Sequence, residues 1–151
     1  MNKNNFFNNK YLLVTGASSG IGYQTAKDFL ELGCYVGVHY NNNKKGAEEL
    51  LKISKSNKCK IFKANFSQSN QILSLWKNFR KWSQNRIDFL VNNAGYVKPM
   101  DFDVLSEKEW DKTLTINLKS TFLLSKFAIQ LMKKKKSGRI VNISSGGWQY
   151  G

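Results

Sequence analysis

Thr15-Gly16-Ala17-Ser18-Ser19-Gly20-Ile21-Gly22 decides the fold of this 151-residue chain. The stretch follows a short apolar run, Tyr11 to Thr15, and opens a segment of helical period near Ile21 to Leu32. A glycine at 16 permits a tight turn. One at 20 lets backbone approach a pyrophosphate, and one at 22 lets helix and strand pack closely, with the helix N-terminus facing the anion. Ser18 and Ser19 add hydroxyl donors. The three glycines span one residue more than the ordinary G-x-G-x-x-G, and the Gly-Lys-Ser/Thr ending of a nucleotide-hydrolysing loop is absent.

Outward from this loop, short apolar runs alternate with longer helical segments, without repeats or linkers. Strands are expected at Tyr11–Thr15, Tyr35–Tyr40, Lys60–Lys63, Ile87–Val91 and Arg139–Ile143, each apolar enough to be buried on both faces. Helices are expected near Ile21–Leu32, Lys44–Ser56, Asn70–Trp82 and Ser106–Lys136. The alternation predicts an α/β fold, a doubly wound parallel sheet of Rossmann type that stops after its fifth strand. Along the last helix, Trp110, Leu114, Leu118, Thr121, Ser125, Ala128 and Met132 form one stripe, read as buried. Ile116, Leu123 and Phe127 form a second, which fits either another subunit or a more deeply buried helix.

Apolar residues at 41% and aromatics at 13% support one globular domain, residues 10–151, behind a disordered or loosely attached tail at 1–9. The asparagine-rich start has no signal-peptide core and no later run spans a bilayer, so a soluble cytoplasmic protein without membrane association is expected. Cys34, Cys59 and the lone His39 match neither a disulfide framework nor a metal site; the cysteines read as small core residues and no metal is expected. The net charge of +14 comes from 21 lysines against 3 arginines, beside 17 asparagines, which reads as compositional bias and not as a nucleic-acid surface. Lys133 to Lys136 close a helix, where cations complement its dipole.

With the loop in that setting, the sequence resembles the short-chain dehydrogenase/reductase family, whose Thr-Gly-x-x-x-Gly-x-Gly loop it matches. Asn92-Asn93-Ala94-Gly95 follows the fourth strand like the family's Asn-Asn-Ala-Gly motif. Asn117 lies in the long helix, and Ile143-Ser144-Ser145 ends the fifth strand like the family's serine motif. Among relatives it looks most like the 3-oxoacyl-carrier-protein reductases. The resemblance implies an NAD(P)-dependent oxidoreductase acting on a ketone or secondary alcohol, and a homo-oligomer when complete. It implies Ser145 and Asn117 as catalytic. Gly16, Ser18, Ser19, Gly20, Ile21, Gly22, Tyr40, Asn41, Asn65, Asn93, Ala94 and Gly95 would bind the cofactor.

An NAD enzyme of this fold usually ends its second strand on a carboxylate that holds the ribose 2′-hydroxyl. Here the place falls on Tyr40, within His39-Tyr40-Asn41-Asn42-Asn43-Lys44-Lys45. Neutral donors and two lysines suit a 2′-phosphate, so NADP(H) is favoured over NAD(H). Asn65 stands where relatives often carry an aspartate near the adenine; it serves equally as a turn cap. The family's proton-donating tyrosine belongs about a dozen residues after the serine, with a lysine four residues on so that both share a helix face. Tyr150 follows Ser145 by five residues and no position 154 exists, so it is not assigned catalysis. Trp148 and Tyr150 are read as lining a substrate pocket or packing beneath the loop. The expected product is a truncated oxidoreductase, inactive by itself. The alternatives are a non-catalytic NADP(H)-binding module or one half of a split enzyme.

Overall fold

The structure is a computed structural model describing residues 6–54 and 57–146. Five parallel strands lie in the order β3-β2-β1-β4-β5: β1 Tyr11–Val14, β2 Tyr35–Tyr40, β3 Cys59–Lys63, β4 Phe89–Asn92 and β5 Arg139–Asn142. Helices α1 Gly20–Glu31, α2 Lys44–Ile53, α3 Ser69–Trp82, α4 Glu107–Leu114 and α5 Ser120–Lys134 fill the crossovers. The central strand shows why the sequence folds this way. Leu12, Leu13 and Val14 are fully buried, and alternation sends them to opposite faces. Leu13 joins Phe62, Ile72, Phe79, Leu90 and Leu124 under α3 and α5. Leu12 and Val14 join Ala26, Val36, Val38, Ala47 and Leu50 under α1 and α2. Cys34 and Cys59 are buried in this second core.

Three expectations change. Residues 6–9 are not loosely attached: the Phe7 ring lies 5.4 Å from that of Phe29 and 5.8 Å from that of Phe89. Lys58 Nζ holds Asn8 and Asn9 through their side-chain oxygens, so the aromatic pair and this ammonium dock the segment. Residues 1–5 lie outside the described residues. The fifth strand is not covered on both faces. Among the described residues it pairs only with β4, and Val141 is 49% exposed.

The expected helix at Ser106–Lys136 is interrupted by a π turn at Thr115–Lys119, where the Ser120 amide reaches back to the Thr115 carbonyl. One extra residue turns the following face by about 100°. The stripe counted straight through the turn therefore splits. Ala128 and Met132 are buried, whereas Trp110 and Leu118 are 50% and 64% exposed. Ile116, Leu123 and Phe127, the second stripe, pack on the core.

At the N-terminal end of the strands, Asp88 accepts from the Tyr11 amide at 2.8 Å and from Lys135 Nζ at 2.6 Å, with Lys10 Nζ at 3.8 Å. Burial pushes its carboxyl up, but these hydrogen bonds and charges outweigh it and hold the pKa below the ordinary value. Lys135, from the four-lysine run, thus staples the end of α5 to β4.

Candidate functional site

The site lies at the carboxyl ends of the strands, where the sheet order reverses around β1, the place such sheets bind ligands. The phosphate loop is shaped by its glycines. Gly16 has φ +62°, and a Cβ there would meet Ala94 Cα at 2.8 Å. At Gly22 a Cβ would fall 2.4 Å from Asn93 Nδ2 and 2.5 Å from the Gly16 oxygen, so this glycine admits the loop and Asn93 beneath the helix. Gly20, at φ +55°, faces open space. Ser19 caps α1 in an extended conformation without a side-chain hydrogen bond to the first-turn amides, which point toward the loop.

The Asn-Asn-Ala-Gly segment is pinned to that loop. Thr15 Oγ1 accepts from the amides of Asn93 and Ala94, each at 2.9 Å. Asn93 Nδ2 donates to the carbonyls of Thr15 at 3.0 Å and Gly16 at 3.1 Å. The Asn93 side chain therefore supports the loop from below. Thr15, absent from the expected site, is what joins the two motifs; its hydroxyl beside a glycine loop was the available signal.

Asn117 occupies the π turn. Its Oδ1 accepts from the Tyr96 amide at 2.7 Å, and its Nδ2 donates to the Tyr96 carbonyl at 2.8 Å, a two-point clasp on backbone. The Ser120 and Thr121 hydroxyls take the Ile116 and Asn117 carbonyls. On the other side Tyr96 donates its hydroxyl to the Glu109 carboxylate, while Lys112 Nζ stands 3.8 Å from the Tyr96 ring. The hydrogen bond from Tyr96, then that from Lys112, hold the Glu109 carboxyl below its ordinary range.

At the end of β2, His39 is buried at 3% exposure. Its Nδ1 accepts from the Gly16 amide at 3.0 Å, so Nε2 carries the hydrogen and donates to the Ala64 carbonyl at 3.0 Å. Burial pushes its pKa down to about 4, and the ring is neutral at neutral pH. Tyr40 beside it is buried in the second core and does not line the cleft described below, whereas Asn41 and Asn42 do. Asn43 caps α2 and donates to the Ser18 carbonyl at 2.8 Å. Lys44 is paired with Glu48 at 2.8 Å, and Lys45 is exposed. The Asn65 oxygen accepts from the Ser67 amide and hydroxyl, the turn-capping arrangement.

These elements enclose a cleft of about 430 Å³. Of the residues the sequence reading assigns to the cofactor, Gly16, Ser18, Ser19, Ile21, Asn41, Asn65, Asn93, Ala94 and Gly95 line it, together with His39, Asn42, Phe66, Tyr96 and Ile116, which that reading did not single out. Gly20, Gly22, Tyr40, Asn117 and Ser145 do not line it; the first three shape or flank its floor. Ser145 is exposed just past β5, on the same edge of the sheet. Trp148 and Tyr150 lie outside the described residues. None of the described lining residues is acidic. Among the described residues there is no cluster of three potential metal ligands, and no helix is long and apolar enough to cross a membrane.

Comparison with known proteins agrees with this geometry. A protein of Thermotoga maritima called an uncharacterized oxidoreductase is 40% identical over 141 residues, which cover 92% of this chain and 55% of that protein. A 3-oxoacyl-[acyl-carrier-protein] reductase of Synechocystis is 36% identical over 136 residues, 88% of this chain and 54% of the relative. The chain thus spans about half the length of the curated relatives it matches. A solved Serratia marcescens short-chain dehydrogenase/reductase superposes with a TM-score of 0.84 at 27% identity, covering 93% of this chain and 57% of that one. The sequence profile described as short chain dehydrogenase matches residues 10–151. By that match and by its NAD(P)-binding Rossmann sheet, the chain belongs to the short-chain dehydrogenase/reductase family, in close relation to the 3-oxoacyl-acyl-carrier-protein reductases.

Proposed function

We propose that this chain is the nucleotide-binding part of an NADP(H)-dependent oxidoreductase that interconverts a ketone and a secondary alcohol, with 3-oxoacyl thioesters as the substrate class. The observation that carries the reading is a cleft with an anion-ready helix N-terminus at one end and no carboxylate among the described residues that line it. Ser18, Ser19 and the first-turn amides of α1 would hold the pyrophosphate, and Asn41 and Asn42, with Lys45 nearby, the 2′-phosphate. The lack of a lining carboxylate removes the repulsion that would reject that phosphate. Asn65 would offer its amide nitrogen to the adenine. Backbone of Asn93, Ala94 and Gly95 forms the wall opposite, and the Asn117 clasp keeps it in place by fixing Tyr96.

When bound, the nicotinamide supplies or accepts a hydride. Ser145 would donate its hydroxyl to the substrate oxygen, where a preorganised donor stabilises developing charge. Within these 151 residues no tyrosine followed four residues later by lysine comes after Ser145, so nucleotide binding without turnover is expected of this chain. That outcome also fits a binding module or one half of a split enzyme. The free, buried cysteines accord with a reducing cytoplasm. The exposed Trp110, Leu118 and Phe122 accord with contact between copies.

The test is a titration of NADPH and NADH, followed by tryptophan quenching. NADPH should bind at least about tenfold more tightly, and Asn41→Asp should erase the difference, since a carboxylate there repels the extra phosphate. Tighter binding of NADH by the unaltered chain would sink the assignment. NADPH oxidation dependent on an added carbonyl would remove the module reading.

A further inference from the structure

Two successive amides of the phosphate loop end on His39. Gly16 donates to the ring Nδ1 at 3.0 Å, and Ala17 donates to the His39 carbonyl at 2.8 Å. The same ring donates through Nε2 to Ala64, beyond β3, and lies flat on Phe66, with centroids 3.9 Å apart and planes 4° apart. Phe66 itself lines the cleft. One side chain on β2 therefore ties the loop after β1 to the segment after β3, and Ser18 and Ser19 follow the tied amides directly.

We propose that His39 is a positioning residue for the bound nucleotide: the neutral ring sets the height of the phosphate loop over the cleft by accepting the Gly16 amide while bonded to Ala64 and stacked on Phe66. The inference rests on the nucleotide-binding reading above. Its chemistry is restrictive. The position needs an acceptor towards Gly16 and a donor towards Ala64 on one flat group thin enough to stack, which a neutral imidazole supplies. A carbon ring of similar size would keep the stacking and leave a buried Gly16 amide without its acceptor. The loop would then satisfy that amide by moving, and Ser18, Ser19 and the first turn of α1 would move with it. A satisfied core histidine with no bearing on the ligand would instead affect stability alone.

The experiment compares the 151-residue chain with His39→Asn, His39→Phe and His39→Leu, reading NADPH affinity and thermal melting on each. Asn keeps an acceptor on the atom attached to Cβ; Phe and Leu keep apolar bulk without one. H39F and H39L should bind NADPH about tenfold or more weakly at temperatures where they are folded, and H39N should stay within about threefold of the unaltered chain. If the unaltered chain binds neither NADPH nor NADH, the nucleotide reading itself fails. If it binds and H39F or H39L binds equally well, only the assignment of His39 fails. Loss of folding in both apolar variants, or an affinity loss in H39N as large as theirs, makes His39 a residue of the fold and overturns the proposal.

Discussion

His39 reaches its bonding partners across 23 residues to Gly16 and 25 residues to Ala64, both of them backbone groups. Nothing in a lone histidine within a strand announces such partners, because backbone acceptors and donors carry no sequence signature. The glycines beside it are legible for the opposite reason: a turn at positive φ excludes nearly every other residue. The buried ring makes a pH prediction. Its folded pKa is about 4 against 6.5 for an exposed imidazole, so on acidification the unfolded chain takes up the proton first. Stability from this group is whole above pH 6.5 and declines as pH falls from 6.5 to 4, by on the order of 3 kcal/mol. Urea midpoints measured across that interval should fall, and should fall less in H39N; equal slopes would show that another group is responsible.

Among elements, the strands and the loop after β1 were readable because apolar runs and glycine spacing are local. The long helix was readable only in its existence. The π turn at Thr115–Lys119 holds Asn117, whose clasp on Tyr96 is a contact over 21 residues, and the offset the turn introduces defeats a stripe counted at constant period. The placement of α2 is equally hidden. Its Gly46 sits so close to the loop that a Cβ would lie 2.1 Å from the Ser18 carbonyl oxygen and 2.8 Å from Asn43 Nδ2. Gly46→Ala should push α2 and Asn43 away from Ser18, costing about 1–3 kcal/mol of stability and weakening NADPH binding. Unchanged denaturation and affinity in this variant would mean that the helix has room the packing denies it.

For the molecule as a whole, the sheet has two edges of different character. β3 carries two exposed lysines, Lys60 and Lys63, which discourage pairing by another chain. The β5 edge, last in the strand order among the described residues, presents Val141 and Ile143, 49% and 39% exposed. The 151-residue chain should therefore associate with rising concentration despite its charge of +14, and Val141→Lys should lower the association. Sedimentation at several concentrations is the check; a monomer at all of them would contradict it. The sequence reading took the N-terminal segment as loose, since docking by Phe7 depends on aromatic partners from a distant strand and helix.

The bonds of Thr15 to Asn93 and Ala94 also set a clock. They join residues 78 and 79 positions apart, so the phosphate loop stays unfinished until β4 has found β1. Closing so long a loop is slow compared with winding α1. In refolding followed by stopped flow, helical signal should return before the capacity to quench on NADPH, and Thr15→Val should widen that gap. Nucleotide affinity would then serve as a chronometer for the last step of folding; simultaneous recovery of both signals would stop that clock.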